Sequence, residues 1–458
     1  MSFLKLAPEL VDNVADYLKD SEVRQLSKTC QQFRQYLAPR VFRKIVFTQD
    51  VEVADSALSA VLAWGPYVKE LRFEEDCLAK CGSIKHTYLD ETDFDNREDA
   101  AIAIPNPAKI FSPSALVLLK TEKALLPNLR ELEITFKTYN SNSLCDLYYN
   151  SFFYGLPFVL DKSMNLRDFK RAVSRQSYLE NTYAALVSNE AISHLRIQRF
   201  YPIQCTVFRT QQWRSFLERL ETLEISIYDQ RDSSDRFSVT HEQYKCGLRR
   251  MDAWLFDYLS NAKSLKLEAS VHGPIGLICD GQEGEIPHNP LPFKPHSMPA
   301  LEELEIHNIF VGKDLLAFLK QHGRIHTIAL KNAFAASTRD WFGESGKISW
   351  KEIFDELRGL DLKLRKFTLD TSTCFSAEDY WGSPLAEGNR DGEEVKSEVK
   401  RIRAVLKEDP QRKPFCYAFH LVGHVKVIWQ HYEDNRRSFY LGEDQASYDE
   451  FMRTVNSK

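Results

Sequence analysis

The sequence predicts an α/β fold: a small helical unit at the amino terminus, then a solenoid with short parallel strands inside and helices outside. Three observations predict it. A six-residue pattern, apolar-x-x-apolar-x-apolar, recurs nine times in 458 residues, from Phe42 to Leu369. Its last three positions alternate as a short half-buried strand does. Stretches of helical periodicity precede several copies, and helix, turn, short strand, repeated, gives parallel strands joined by helical crossovers. The first 47 residues instead begin with two short helical patterns in tandem.

In the first of these helices Pro8 suits the opening turn, where its missing N–H costs nothing. Behind it Leu10, Val11, Val14, Ala15 and Leu18 recur at helical spacing. Asp20 or Ser21 offers an N-cap to the second helix. There Val23, Leu26, Cys30, Phe33 and Leu37 follow at steps of 3, 4, 3 and 4, and Pro39 closes the pattern. Neither helix is long enough to be stable alone, so both must pack.

The strand copies end on Ile45-Val46-Phe47, Leu71-Arg72-Phe73, Leu132-Glu133-Ile134, Leu195-Arg196-Ile197 and Leu223-Glu224-Ile225. They continue with Leu265-Lys266-Leu267, Leu304-Glu305-Ile306, Ile328-Ala329-Leu330 and Phe367-Thr368-Leu369. Steps of 26 residues (45 to 71), 28 (195 to 223) and 24 (304 to 328) match the period of leucine-rich repeats. Longer steps, such as 61 (71 to 132), leave room for an insertion or a skipped unit. Helical patterns over 56–64, 213–220, 253–261, 313–322 and 350–360 supply the outer layer. Asn308 after Ile306 and Asn332 after Leu330 are the patchy remains of a downstream Asn ladder, so the repeats read as degenerate. No such unit buries its apolar face alone. The alternative is an ordinary doubly wound α/β domain, disfavoured because the strand signals are so many, so short and so alike.

Irregular segments interrupt this scaffold: an acidic loop at 80–110, an Asn, Ser and aromatic stretch at 138–162, a Pro- and Gly-rich excursion at 270–299, and another loop at 376–394. A helix is expected from Leu166 to Val187. In 395–408, Val395, Val399, Ile402 and Leu406 share one helical face, leaving a basic, solvated remainder. Residues 415–429 read as strand material capping the array.

The amino-terminal order Leu6-Ala7-Pro8-Glu9-Leu10-Val11, Val14, Tyr17-Leu18-Lys19-Asp20, Leu26, Cys30, Phe33-Arg34 and Pro39-x-x-Phe42 resembles the F-box family, especially its fungal members. The chain departs from that pattern where Ala7 separates Leu6 from Pro8, where Glu22-Val23 stands for an Asp-Leu pair, and where Phe33 replaces a common Trp. The resemblance implies domains at 1–47 (F-box), 48–414 (degenerate leucine-rich-repeat array) and 415–458 (cap and tail). It also implies a function: the non-catalytic substrate receptor of an SCF-type ubiquitin ligase. The adaptor subunit, and through it cullin and RING subunits, would dock on Leu6, Pro8, Leu10, Val11, Val14 and Leu18, with Val23 and Leu26 as a second layer. An unidentified protein substrate would be held by the array. The other reading is a stand-alone scaffold, or an F-box protein acting outside ubiquitination.

Composition narrows the classes further. Sixty Lys and Arg against 65 Asp and Glu give a formal charge of −5, which argues against nucleic acid as a bulk electrostatic partner. Nine scattered Cys without a framework spacing, and no Asn-x-Ser/Thr sequon, fit the cytosol or nucleus. No signal-length or membrane-length apolar run occurs. Cys77, Cys81 and His86 lack a fourth ligand, and His420 and His424 sit in strand-like alternation. His241-Glu242 has no second His, and Gly343 to Lys347 lacks the first Gly of a phosphate loop. The expectation is therefore no metal, no cofactor and no catalytic residue.

Overall fold

A computed structural model describes residues 8–75, 110–136, 177–228, 242–271, 273–276, 289–336, 348–371, 374–375, 392–409, 411–420 and 428–457. The stretches expected as loops at 80–110, 138–162 and 376–394 lie almost wholly outside these residues. So do Leu6 and the Cys77, Cys81 and His86 group.

Three helices open the chain, not two: α1 (Pro8–Asp16), α2 (Asp20–Thr29) and α3 (Gln31–Val41). The expected second helix breaks at Cys30. Its backbone is extended, and its Sγ accepts the Phe33 N–H at 3.4 Å to cap α3. Periodicity is blind to this break, because Val23 and Phe33 on either side are buried in the same small core with Val11, Ala15 and Leu37. Pro39 lies inside α3 rather than closing it. Neither Asp20 nor Ser21 caps α2. Glu22 instead reaches back to accept the Lys19 N–H at 2.7 Å, and Asp20 and Glu22 place negative charge in the first turn.

Two compact units divide the chain: one of Met1–Lys137, Val173–Gln198 and Cys205–Phe216, the other of Thr138–Ala172, Arg199–Gln204 and Leu217–Lys458. In the first, strands β1 (Lys44–Phe47), β2 (Glu70–Glu74), β3 (Glu131–Thr135) and the start of β4 (His194–Phe200) pair in parallel in chain order. Ile45, Leu71, Leu132 and Leu195 stand in one register row, and Phe47, Phe73, Ile134 and Ile197 in the next. All eight are buried. The crossover helix α4 (Val51–Trp64) starts where Asp50 accepts the Glu52 and Val53 N–H groups, and α5 (Pro113–Lys120) starts where Ser112 caps a first-turn proline. Residues 177–186 are helical.

In the second unit β5 (Thr222–Ile227), β6 (Ser264–Glu268), β7 (Glu303–Phe310) and β8 (Thr327–Ala336) are parallel neighbours, again in chain order. The long β8 has two further parallel partners. β9 (Lys366–Asp370) pairs along Thr327–Lys331, and β10 (Tyr417–His420) pairs at Ala335 and Ala336. β11 (Ile428–Gln430) then turns back antiparallel on β10. The helix α6 (Gln211–Glu218) precedes β5, α7 (Glu242–Trp254) precedes β6, and α8 (Lys313–Lys320) joins β7 to β8. Where 253–261 reads as helix, only a three-residue turn at Phe256–Tyr258 follows the end of α7.

The carboxyl-terminal part holds α9 (Trp350–Gly359), α10 (Gly392–Glu408), α11 (Tyr432–Leu441) and α12 (Glu443–Asn456). Phe354 of α9 is the hub of an aromatic cluster, with Trp350, Phe367, Phe415, Tyr448 and Phe451 at centroid distances from 5.3 to 6.4 Å. Gly442, at φ 68°, takes the left-handed step between α11 and α12 that a side chain would oppose.

These observations correct the expected fold class. The chain is an α/β protein built on parallel sheet with irregularly spaced helices. It is not an F-box unit followed by a leucine-rich-repeat solenoid, with its regular units and horseshoe curvature. In having parallel strands joined by helical crossovers it resembles a Rossmann-like α/β domain. The physical reason is that apolar-x-x-apolar-x-apolar reports only that alternate residues of a short strand are buried. Any parallel strand with one solvated face meets that demand, so recurrence of the pattern does not specify a repeat. The receptor function in an SCF-type ligase, which rested on that architecture, is withdrawn with it.

Within each unit strand order follows chain order. Among the described strands this holds from β1 to β4 and from β5 to β8; beyond β8 the pairing forks to β9 and β10.

Candidate functional site

The described residues among those expected to dock an adaptor differ in exposure. Val11 and Val23 are buried in the core shared by α1, α2 and α3, and Leu18 and Leu26 pack against it. Leu10 and Val14 face outwards, 49% and 38% exposed, next to Tyr17 at 91%. Pro8 opens α1 and Leu6 lies outside the described residues. Helical periodicity marked a face without distinguishing its packed side from its free edge.

A different arrangement emerges on the strands. Parallel sheets are commonly covered on both faces and then read as continuous apolar runs. Here β2, β5 and β6 alternate half-exposed and buried residues along their whole length, and β1 and β9 alternate exposed or half-exposed residues with buried ones. One face of these strands is therefore solvated, and it carries ionic side chains among Ser, Thr and Val. In the first unit Glu133 is the hub, its side chain only 9% exposed. Lys44 of β1 lies 3.0 Å from it, Arg72 of β2 3.7 Å and Arg196 of β4 3.9 Å. Neighbouring carboxylates balance these cations: Glu70 near Lys44, Glu74 against Arg72, and Glu131 at 3.0 Å from Arg196.

The second unit repeats the device at the equivalent strand position. Glu305 of β7 meets Lys331 of β8 at 2.7 Å, His307 two residues along at 2.5 Å, and Lys266 of β6 at 3.8 Å. Partial burial pushes the Glu305 carboxyl up, but the hydrogen bonds from Lys331 and His307 and the two lysine charges outweigh it, and the group is held below the ordinary carboxylate range. Both hubs sit at the middle polar position of the strand motif, so the sequence contained them. Pairing across strands, which no linear pattern displays, was needed to see them.

Beyond the hubs lies an asparagine step. Asn308 and Asn332 both adopt positive φ, 58° and 50°. The Asn308 amide donates to the Ala269 carbonyl, and the Asn332 amide donates to Asn308. Asn tolerates this conformation better than most residues because its side chain can satisfy local backbone groups.

Among the described residues no group of three or more His, Cys, Asp and Glu could hold a metal ion, and no helix is long and apolar enough to cross a membrane. Cys205 is fully buried, and burial, then the Glu180 charge, pushes its thiol well up, away from the reactive thiolate. Glu180 itself accepts from the Thr206 hydroxyl and from the Thr206 and Val207 N–H groups, a structural cap. On α10, Val399 and Ile402 are buried in a core with Phe375 and Phe439. His241, His424 and the Gly343 to Lys347 segment lie outside the described residues.

Fold and site together define an α/β protein with parallel strands and an ionic, uncovered strand face. No protein-family model matches the chain, and no curated protein matches it. The F-box resemblance therefore has no support from outside the residues that suggested it.

Proposed function

We propose that this chain is a non-catalytic binding protein in which the ionic strand face of each unit, taken by itself, is a surface for a protein partner. The observation that carries the reading is the pair of carboxylate hubs, Glu133 and Glu305, each holding cations from neighbouring strands in place on a solvated face. Pre-ordered ions of both signs favour a partner with the complementary mosaic, because their side chains lose little further freedom on binding. A net charge of −5 and an even mixture of signs on the faces disfavour nucleic acid.

Charge reversal tests this. Lys266→Glu with Lys331→Glu is compared with Lys320→Glu and Lys407→Glu, two exposed lysines on helices α8 and α10, in affinity capture from extract followed by quantitative mass spectrometry. Captured proteins that the native chain enriches should be lost from the first variant and kept by the second. Equal retention by both would refute the strand face as the working surface.

A further inference from the structure

The first unit contains a cleft of about 860 Å³ between its amino-terminal helices and the entrances to β1 and β2. Its volume lies within the range of small-molecule sites, roughly 300–1,000 Å³. Five cationic side chains line it, Arg24, Arg40, Arg43, Lys44 and Lys69, against three carboxylates, Asp16, Asp20 and Glu70. Cations thus outnumber carboxylates in its lining, in a chain whose net charge is −5.

Internal pairing does not use up the cations. Arg40 is tied to Asp16 at 2.7 Å and to Asp12 at 3.5 Å, Arg43 to Glu70 at 3.4 Å, and Lys44 to Glu133 at 3.0 Å. Among the described residues Arg24 and Lys69 make no ion pair; Asp20, four residues before Arg24, is likewise unpaired. Arg24 comes from α2 and Lys69 from the residue before β2, so two cations without an ion pair line the same cleft from separate elements. An exposed ring lines the same cleft: Tyr67 is 39% exposed and stacks on Trp64 at 6.3 Å, and Trp64 stacks in turn on Phe42 at 5.1 Å.

We infer that this cleft binds a small organic phosphate with a planar ring, a nucleoside diphosphate being the model compound: Arg24 and Lys69 take the phosphates, and Tyr67 takes the ring. Guanidinium and ammonium groups are the side chains that recognise phosphate oxygens, and an aromatic face stacks on a planar ring with little dependence on its identity.

Isothermal calorimetry on the full chain with ADP, pyrophosphate and adenosine tests the inference. ADP should bind best, pyrophosphate about tenfold more weakly, and adenosine weaker still. Arg24→Glu with Lys69→Glu should reduce ADP affinity at least tenfold, while Tyr67→Ala should erase the advantage of ADP over pyrophosphate. Circular dichroism confirms folding, which these exposed positions do not threaten, and Lys320→Glu serves as the control for net charge. Three outcomes would each overturn the inference: no heat with ADP at millimolar concentration, an equal loss in the Lys320→Glu control, or ADP and pyrophosphate binding alike to the native chain.

Discussion

Glu133 shows how one residue can be read as ornament on a strand motif and yet organise a surface. Its carboxylate is nearly enclosed by Lys44, Arg72 and Arg196, each about a third exposed. Replacing it with Ala leaves three cations facing one another across adjacent strands. The expected loss is about 1–2 kcal/mol, at the level of a charged hydrogen bond rather than of a fully buried ion pair, because solvent still reaches the cations. Urea unfolding of Glu133→Ala should show the loss, and raising the salt concentration should shrink it; an unchanged midpoint would mean the hub is decorative.

A second residue-scale prediction concerns pH. The Tyr417 hydroxyl donates to Asp444 at 2.9 Å and accepts the Trp350 N–H at 3.1 Å. Burial first, then the Asp444 charge, drives its ionisation far above the usual tyrosine range. The folded chain thus holds this proton where the unfolded chain releases it. Stability should be intact below about pH 10 and fall as pH rises beyond it. Tyr417→Phe should flatten that alkaline limb while costing about 1–3 kcal/mol at neutral pH, since Asp444 and Trp350 each lose a partner. Thermal melts from pH 8 to 11 on both proteins measure it, and parallel alkaline limbs would contradict it.

At the scale of elements, the helices and strands differ in how far sequence reaches them. In all nine motifs the last three residues lie in a strand with both apolar positions buried, because period-two alternation is a direct record of a half-buried strand. Helix ends were less legible. The break at Cys30 depends on a sulfur cap that composition does not advertise, and the early end of α7 leaves a stretch read as helix mostly in turns. The amino-terminal helices carry the sharpest contrast. Leu37 of α3 is fully buried among α1, α2 and α3, whereas Leu10 of α1 is half exposed. Leu37→Ala should cost about 2–5 kcal/mol, and Leu10→Ala less than about 0.5 kcal/mol. Denaturant melts that gave the two variants similar losses would show that the packed side of this small core has been misplaced.

The Asn308 step belongs to the same scale, because it joins β6, β7 and β8 at one level. Asn308→Ala removes the bond to Ala269 and leaves an alanine at positive φ, so about 1–3 kcal/mol should be lost. Asn308→Gly, which keeps the backbone at ease, should recover part of it. If alanine and glycine destabilise equally, the strain argument fails and only the hydrogen bond matters.

For the whole molecule, sequence supplied the parallel strands and the crossovers but not the fold class. A leucine-rich unit and an ordinary parallel crossover place the same residues inward over six positions. They differ in the regularity of what lies between, and steps of 61 (71 to 132) and 63 (132 to 195) residues already strained a repeat reading. The ionic strand face was equally hidden: Glu133 and Arg196 are 63 residues apart in sequence and become neighbours only when β3 and β4 pair.

That face is the centre of the functional account, and lysine-directed cross-linking to a captured partner tests it most directly. The account predicts intermolecular cross-links at Lys44, Lys266, Lys331 and Lys366, on the strands, with protection of the same lysines from acetylation in the complex. Cross-links confined to Lys320, Lys407 and other helical positions, with the strand lysines still freely acetylated, would contradict it.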